Sequence, residues 1–535
     1  MTARKLPIGI QDFACIRREG YIYVDKTLFV HRMVSEGKPY FLSRPRRFGK
    51  SLLVSTLKYY FEGKQELFEA IAGRERLAIA DLEKEWKPYP VLHLDLTGTS
   101  YQSVESLDSR LASNLRVSEE HWGKDAAEDA PDARFFGLIR RACEQTKNAA
   151  VVLIDEYDKP LTDTLEKPKL HRAIRERLQG FYSVLKAADQ WLRFVLLTGV
   201  TKFSKVSIFS TLNQLRDISE EPAFAGICGI TESELAGNFG PEIEAFAEKK
   251  KKPSAEIRAE MRKRYNGYHF SKGESGGGEN STVSGGVYNP FSVLNTLVKQ
   301  DFAYYWYQTG TPAFLVDLLK RNDFDLRQLS GGITVERQTL DDYRPEAPYP
   351  PSILYQSGYL TITGYNDKYD EYTLGFPNEE VKYGFLKSLL PGYAPRPRDI
   401  QGVFVKNFIK DLDRGDTEAF MNRLKGFFAG IPYELNDKTE RHYQMLMYVV
   451  FTLMGEFTQA EMRSAAGRAD LVVATDTAVY CFEFKLTGRG TAEEALKQID
   501  GRGYLVPFSA AGRKLVKVGA VFDPVTRTLG EWVIE

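Results

Sequence analysis

Four consecutive apolar residues, Val151-Val152-Leu153-Ile154, run directly into Asp155-Glu156. An unbroken apolar run of this length does not alternate between core and solvent. It fits a strand covered on both faces, the inner strand of a parallel sheet packed between helices. The neighbouring sequence agrees. Tyr40-Phe41-Leu42, Val91 to Leu96 and Phe194 to Leu197 read as further short strands, and Lys50 to Phe61 and Leu170 to Ala188 carry helical periodicity between them. Such alternation predicts an α/β fold over about the first 240 residues. Two carboxylates at the end of a buried strand are costly unless a cation offsets them, so Asp155 and Glu156 point to a bound metal ion.

The stretch that should meet them is Arg44-Pro45-Arg46-Arg47-Phe48-Gly49-Lys50-Ser51, between the strand at Tyr40 and the helix at Lys50. A helix N-terminus presents unpaired N–H groups and a partial positive charge. Arg44, Arg46, Arg47 and Lys50 crowd that end, where added cations are unfavourable unless an anion sits among them. Gly49 lets the backbone approach a phosphate, Lys50 reaches the outer phosphates, and Ser51 places its hydroxyl on Mg²⁺. Arg46, Arg47, Phe48, Gly49, Lys50, Ser51 and Leu52 are thus the expected nucleotide cradle. Asp155 would hold Mg²⁺ through water, Glu156 would orient the attacking water, and Thr198, ending another strand, would sense the γ-phosphate. The stretch departs from the generic GxxxxGK[ST] pattern, because Arg44 stands at the first glycine position; the bland alternative is an exposed basic patch.

A second acidic constellation lies near the end of the chain: Asp470, twelve intervening residues, then Glu483-Phe484-Lys485. Leu471 to Thr475 and Ala478 to Phe484 read as two strands joined by a tight turn at Asp476-Thr477. A two-residue turn sets Asp470 directly opposite Glu483, with Cβ atoms roughly 4.5–5.5 Å apart, where like charges destabilise. Period-two alternation puts Lys485 on the same face as Glu483, and Leu471, Val473, Tyr480, Phe482 and Phe484 on the core face. A divalent cation between Asp470 and Glu483 would remove the repulsion and activate a water toward phosphorus, with Lys485 stabilising developing charge. The alternative is that Glu483 and Lys485 are solvated ends of an edge strand. Thr491 and Glu494 form a capping box for the next helix, with Gly501 as its stop, and Gln498 and Tyr504 are placed to point back toward the site. Glu440, Glu456 and Glu461 are candidates for a further acidic ligand.

Bulk properties narrow the field. At 535 residues the chain calls for two or three domains. Lys plus Arg and Asp plus Glu number 72 each, so contact with nucleic acid has to come from local basic patches. The four cysteines, Cys15, Cys143, Cys228 and Cys481, form no CxxC pair, which fits a reducing compartment. The six histidines form no HExxH cluster, against a zinc enzyme. Met1 to Gly9 lacks the apolar stretch of a signal peptide, and the longest apolar run, Met445 to Met454, is too short to span a bilayer and reads as a core helix. The expectation is a cytoplasmic protein without a membrane partner. Lys249 to Lys252 before Pro253 marks a helix end, and Ser271 to Gly286 reads as a mobile loop. Pro391 to Pro397 reads as a linker, and the Tyr-, Phe- and Trp-rich middle region as the packing of an irregular helical domain.

Taken together, Arg44 to Leu53, Val151 to Pro160, Val195 to Lys202, Tyr265 to Phe270, Gly467 to Leu486 and Ala495 to Tyr504 resemble the predicted AAA-ATPase-like family whose members end in a PD-(D/E)XK nuclease domain. The Arg-Pro-Arg-Arg-Phe-Gly-Lys-Ser form of the loop is typical of that family, and Ala469 stands where the nuclease motif has proline. The resemblance implies a P-loop parallel sheet with helices on both faces at 1–240, a mostly helical middle domain at 241–398, and a restriction-endonuclease-like α/β domain at 399–535. It implies that Lys50, Ser51, Asp155 and Glu156 bind and hydrolyse ATP. Asp470, Glu483 and Lys485, with Gln498 as accessory, would cleave phosphodiester bonds with Mg²⁺ or Mn²⁺, on DNA in preference to RNA. A homo-oligomer is compatible with this. Two other readings are a nucleotide-dependent switch whose C-terminal fold binds nucleic acid or protein without cutting, and an ATPase signalling module indifferent to nucleic acid.

Overall fold

The structure is a computed structural model. It describes residues 4–202, 214–272, 285–309, 313–341, 349–393, 398–430, 440–455, 459–461, 470–523, 525–526 and 528–535. They divide into two compact units, Met1–Asn322 with Gly332–Glu380, and Asp323–Gly331 with Val381–Glu535.

The first unit is built on five parallel strands: β1 (Pro39–Ser43), β2 (Val91–Asp95), β3 (Ala150–Asp155), β4 (Leu192–Gly199) and β5 (Arg216–Asp217). Their order is β2-β3-β4-β1-β5, and every residue of β3 is buried, as its unbroken apolar run requires. From β1 the chain travels past β4 and β3 to reach β2, whereas from β4 it travels the other way, past β1, to β5. The carboxyl ends of β1 and β4 therefore flank the switch point of the sheet, where open α/β folds bind ligands. Ser43 and Gly199 are register partners there.

Residues beyond 240 that were expected in a separate middle domain cluster with this sheet as far as Glu380, apart from Asp323–Gly331. Helix Glu232–Lys250 ends in the lysine run, with Lys251 left-handed at φ 54° and Pro253 capping the next helix, Ser254–Tyr265. These helices and Pro290–Lys299 share a core that includes Leu235, Phe239, Met261 and Tyr288. The region also carries an antiparallel sheet, β6 (Ile333–Glu336), β7 (Thr361–Asn366) and β8 (Glu371–Gly375), in the order β6-β8-β7. The expected loop at Ser271 to Gly286 lies mostly outside the described residues. Of the expected linker at Pro391 to Pro397, the first three residues belong to helix Glu379–Tyr393, and residues 394–397 lie outside the described residues.

The second unit carries β9 (Gln459–Glu461), β10 (Leu471–Ala474), β11 (Ala478–Leu486), β12 (Lys514–Asp523) and β13 (Thr528–Ile534), ordered β13-β12-β11-β10-β9. Only β11 and β12 run parallel. Leu471 pairs with Phe482 and Val472 with Cys481, the register that a two-residue turn at Asp476-Thr477 demands. Strand β11 is central rather than an edge strand. Helix Thr417–Ala429 covers one face, with the Phe420 ring tilted 5.1 Å from Phe482 and Phe428 edge-on 5.3 Å from Phe522. Helix Ala492–Arg502 covers the other, its Leu496 and Ile499 sharing a cluster with Val479 and Cys481 of β11. The apolar run at Met445 lies in helix Glu440–Met454 and is buried. Among the described residues no helix is long and apolar enough to cross a membrane.

Candidate functional site

Strand β1 delivers its chain into the loop Arg44–Gly49, and helix Lys50–Phe61 begins immediately after. Arg47 and Gly49 are left-handed, at φ 68° and 98°. A side chain added at Gly49 would meet no atom within 4 Å, so glycine is required there by backbone conformation and not by crowding. Among the described residues, no backbone N–H from Arg46 to Leu52 donates to another group of the protein. A run of unpaired donors at a helix N-terminus is an anion receptor. The Lys50 ammonium, buried at 4% exposure, donates to the Arg44 and Pro45 carbonyls at 2.9 and 3.2 Å and so sits within the loop.

Arg44 corrects the sequence reading. Its guanidinium does not join the cations facing an anion, because it points into the protein. It donates to the Ser43, Ser219 and Phe224 carbonyls and lies 4.1 Å from the Phe270 ring. Three carbonyl acceptors and an aromatic face hold it there. Arg46 and Arg47 are exposed, Arg47 lying 5.1 Å over Phe291. Phe48 is buried edge-on against Tyr268, 4.7 Å away. Ser51 and Leu52 are half-buried on the first helical turn.

Asp155 and Glu156 stand where the sheet places them, at the carboxyl end of β3. The Thr198 hydroxyl donates to Asp155 Oδ1, and so does the Glu156 N–H at 3.1 Å. Thr198 thus orients Asp155 directly. Glu156 is left-handed at φ 54°, an uncommon conformation for a non-glycine residue. Its Oε1 lies 3.8 Å from Lys50 Nζ, which joins the acidic strand to the loop. Burial pushes the Glu156 carboxyl up, and the Lys50 charge pulls it back. Asp158 escaped sequence reasoning. It is buried and accepts the Val200 and Thr201 N–H groups at 3.1 and 2.7 Å, bracing the ends of β3 and β4. Its signal was only its spacing after Asp155. Beside Gly49 and Leu52 an apolar cavity opens, walled by Ile22, Val24, Ile227 and Leu294.

In the second unit the two carboxylates reach across β10 and β11 at one end. Asp470 Oδ2 accepts the Phe484 N–H at 2.9 Å, which places its carboxyl against β11. Glu483 is 4% exposed. Burial raises its carboxyl pKa and the Asp470 charge raises it further; burial likewise raises Asp470. Both shifts report charge held where water cannot screen it. Glu483 Oε1 accepts from Lys485 Nζ at 3.2 Å and from Gln498 Nε2, and Lys485 also donates to Gln498 Oε1. Glu483 Oε2 is buried and accepts no hydrogen bond of normal geometry. An orphaned carboxylate oxygen beside a second carboxylate is an oxygen-only donor set, which fits a hard divalent cation.

The helix that carries Gln498 reaches this depth because of Gly519, the register partner of Glu483 on β12. A Cβ there would lie 2.1 Å from the Ala492 carbonyl oxygen. Thr491 and Glu494 form the capping box, but the stop is Gly503, left-handed at φ 61°, and not Gly501. Tyr504 packs against the cluster beneath the helix, its hydroxyl buried without a partner. Glu456 lies outside the described residues, and of Glu440 and Glu461 only the backbone is described.

Comparison with known proteins finds relatives for both regions of the chain. A family model described as a predicted AAA-ATPase matches residues 7–209, and one for the PD-(D/E)XK nuclease superfamily matches residues 438–532. A protein of Azotobacter chroococcum, described as an uncharacterized protein in the vnfD 5′ region, is 36% identical over 548 residues, covering 100% of this chain and 99% of its own. No solved structure matches the chain. With its glycine-containing loop at a sheet switch point, and with Glu483 on a central strand and Asp470 at the start of its neighbour, the chain belongs to the predicted AAA-ATPase family and carries a PD-(D/E)XK nuclease superfamily domain.

Proposed function

We propose that the first unit binds and hydrolyses ATP and that the second cleaves phosphodiester bonds of nucleic acid, DNA in preference to RNA, with Mg²⁺ or Mn²⁺. In the first unit the unpaired N–H groups from Arg46 to Leu52 receive the β- and γ-phosphates, and Lys50 balances their charge. Ser51 and Asp155 hold the Mg²⁺, Thr198 fixes the Asp155 carboxylate, and Glu156 takes the proton of the attacking water. The apolar cavity beside Leu52 receives the base.

In the second unit Asp470 and Glu483 hold the divalent ion. When bound, that ion supplies a Lewis acid that lowers the pKa of a water near the scissile phosphate. Lys485 stabilises charge developing on phosphate oxygens, and Gln498 orients both Lys485 and Glu483. The observation that carries the cleavage reading is the unpartnered Glu483 Oε2 next to Asp470, on a strand buried from both faces. A switch without cleavage would have no use for a desolvated pair of like charges completed by a lysine.

The test is cleavage of linear duplex, single-stranded DNA and RNA by the full chain with Mg²⁺ or Mn²⁺, with and without ATP. The reading expects metal-dependent cutting that disappears in Lys485→Ala. Cutting that survives in that variant with a chelator present overturns it.

A further inference from the structure

Segments remote in sequence hold the outer side of the phosphate loop. The Trp306 indole N–H donates to the Arg46 carbonyl at 3.0 Å. In a planar trans peptide the carbonyl and the following N–H point in opposite directions. This bond therefore turns the Arg47 N–H away from Trp306 and keeps it in the run of unpaired donors. Trp306 is itself held. Its backbone N–H donates to Glu380 Oε1 at 2.8 Å, and the Ser292 hydroxyl donates to Glu380 Oε2 at 2.6 Å.

Glu380 is 1% exposed and locked from behind. Asn378 Nδ2 donates to the Asn266 carbonyl at 2.9 Å, and a Cβ on Gly267 would lie 2.1 Å from the Pro377 carbonyl oxygen. The Asn266–Phe270 stretch in turn covers the loop, through Tyr268 on Phe48 and Phe270 on Arg44. From another side, a Cβ on Gly358 would lie 2.5 Å from Pro45 Cβ. The loop is thus caged by three segments, and one hydrogen bond from that cage reaches its backbone carbonyl at Arg46.

We propose that Glu380 and Trp306 are positioning residues for this loop: the buried carboxylate fixes the Trp306 main chain, and the indole fixes the Arg46 peptide in the orientation that leaves the loop donors open to a nucleoside triphosphate. The proposal rests on the nucleotide reading of the same site. Burial pushes the Glu380 carboxyl up to about 7, against donors from Ser292 and Trp306 that pull it down. The titratable groups facing it are Tyr265, Tyr268 and Tyr305, all themselves raised by burial and uncharged near neutrality. As a carboxylate Glu380 accepts from every donor around it; once protonated, it commits one oxygen to its own proton. The latch is therefore set above pH 7 and slack below it.

The test is ATP affinity of the full chain by titration calorimetry across pH 6 to 8, with melting temperature as control. Trp306→Phe, which removes the donor and keeps a ring, should weaken ATP binding about three- to ten-fold at pH 8. The ratio of wild-type to Glu380→Gln affinity, in which the titration of ATP itself cancels, should fall toward one as pH drops to 6. Ser292→Ala, a milder change that removes one donor to the carboxylate, should move that fall to higher pH. Wild-type affinity in Trp306→Phe, or a ratio that does not vary with pH, overturns the proposal. Should Trp306→Phe or Glu380→Gln not fold, an unchanged pH profile in Ser292→Ala overturns it. Lys50→Ala separates the two readings: if it binds ATP as the wild type does, the nucleotide site is wrong whatever the latch variants show.

Discussion

At the phosphate loop the unsatisfied groups are donors, whereas on β10 and β11 of the second unit they are acceptors. The loop leaves its N–H groups from Arg46 to Leu52 open and surrounds them with cations. The strand pair leaves Glu483 Oε2 open and sets Asp470 beside it. On the proposed reading, each is a half-built electrostatic structure that a ligand would complete, an anion in one case and a cation in the other. They differ in what enforces them. Backbone conformation and a tertiary cage hold the loop, while strand register and one close-packed helix hold the carboxylates.

The largest expected effects separate the two chemistries. Lys485→Ala should lower nucleic-acid cleavage about 10²–10³-fold, the usual cost of one preorganised electrostatic group, with basal ATP turnover retained. Lys50→Ala should remove ATP turnover while the nuclease domain still binds metal. Loss of both activities in either variant would break the division. Next, Glu156→Gln should slow ATP hydrolysis about 10²-fold or more while ATP binding persists, measured as turnover against titration affinity. Weakened binding instead would make Glu156 a ligand and not a base.

A stability effect sharpens the contrast in scaffolding. Gly519→Val would force the Ala492 backbone away from β12. It should cost about 1–3 kcal/mol in denaturant unfolding and abolish cleavage by withdrawing Gln498, leaving ATP binding intact. The smallest effect concerns pH. Glu483 has its folded pKa raised, so its charged form is penalised by folding. Stability of the metal-free protein should decline as pH rises from the ordinary glutamate range through that raised value. Glu483→Gln should therefore raise metal-free stability by about 1 kcal/mol near pH 7.5, a gain that vanishes by pH 4. Added Mn²⁺ should stabilise the wild type and not the variant.

The second site was legible because it is local. The turn at Asp476-Thr477 fixes register, register fixes which side chains oppose, and all of that lies within sixteen residues of sequence from Asp470 to Lys485. The buried strand β3 was legible for the same reason: a period-free apolar run has one structural meaning. The loop's place between β1 and its helix was legible, but the direction of its side chains was not. Arg44 is chemically identical to Arg46 and Arg47, and only the carbonyls at Ser219 and Phe224, brought near by folding, draw it inward. Trp306 and Glu380 were hidden for the same reason, since aromatic density reads as core packing until a contact to Arg46 gives it direction. Gly501 and Gly503 are equally plausible stops in sequence, and which one turns left-handed depends on where the helix leaves the sheet.

The most direct test is Mn²⁺ titration of the full chain without nucleotide, followed by electron paramagnetic resonance or calorimetry. Wild-type protein should take up a tightly held ion, and the Asp470→Asn, Glu483→Gln double variant should lose it while its melting transition remains cooperative. Equal uptake by that folded double variant would contradict the assignment of the carboxylate pair as a metal site.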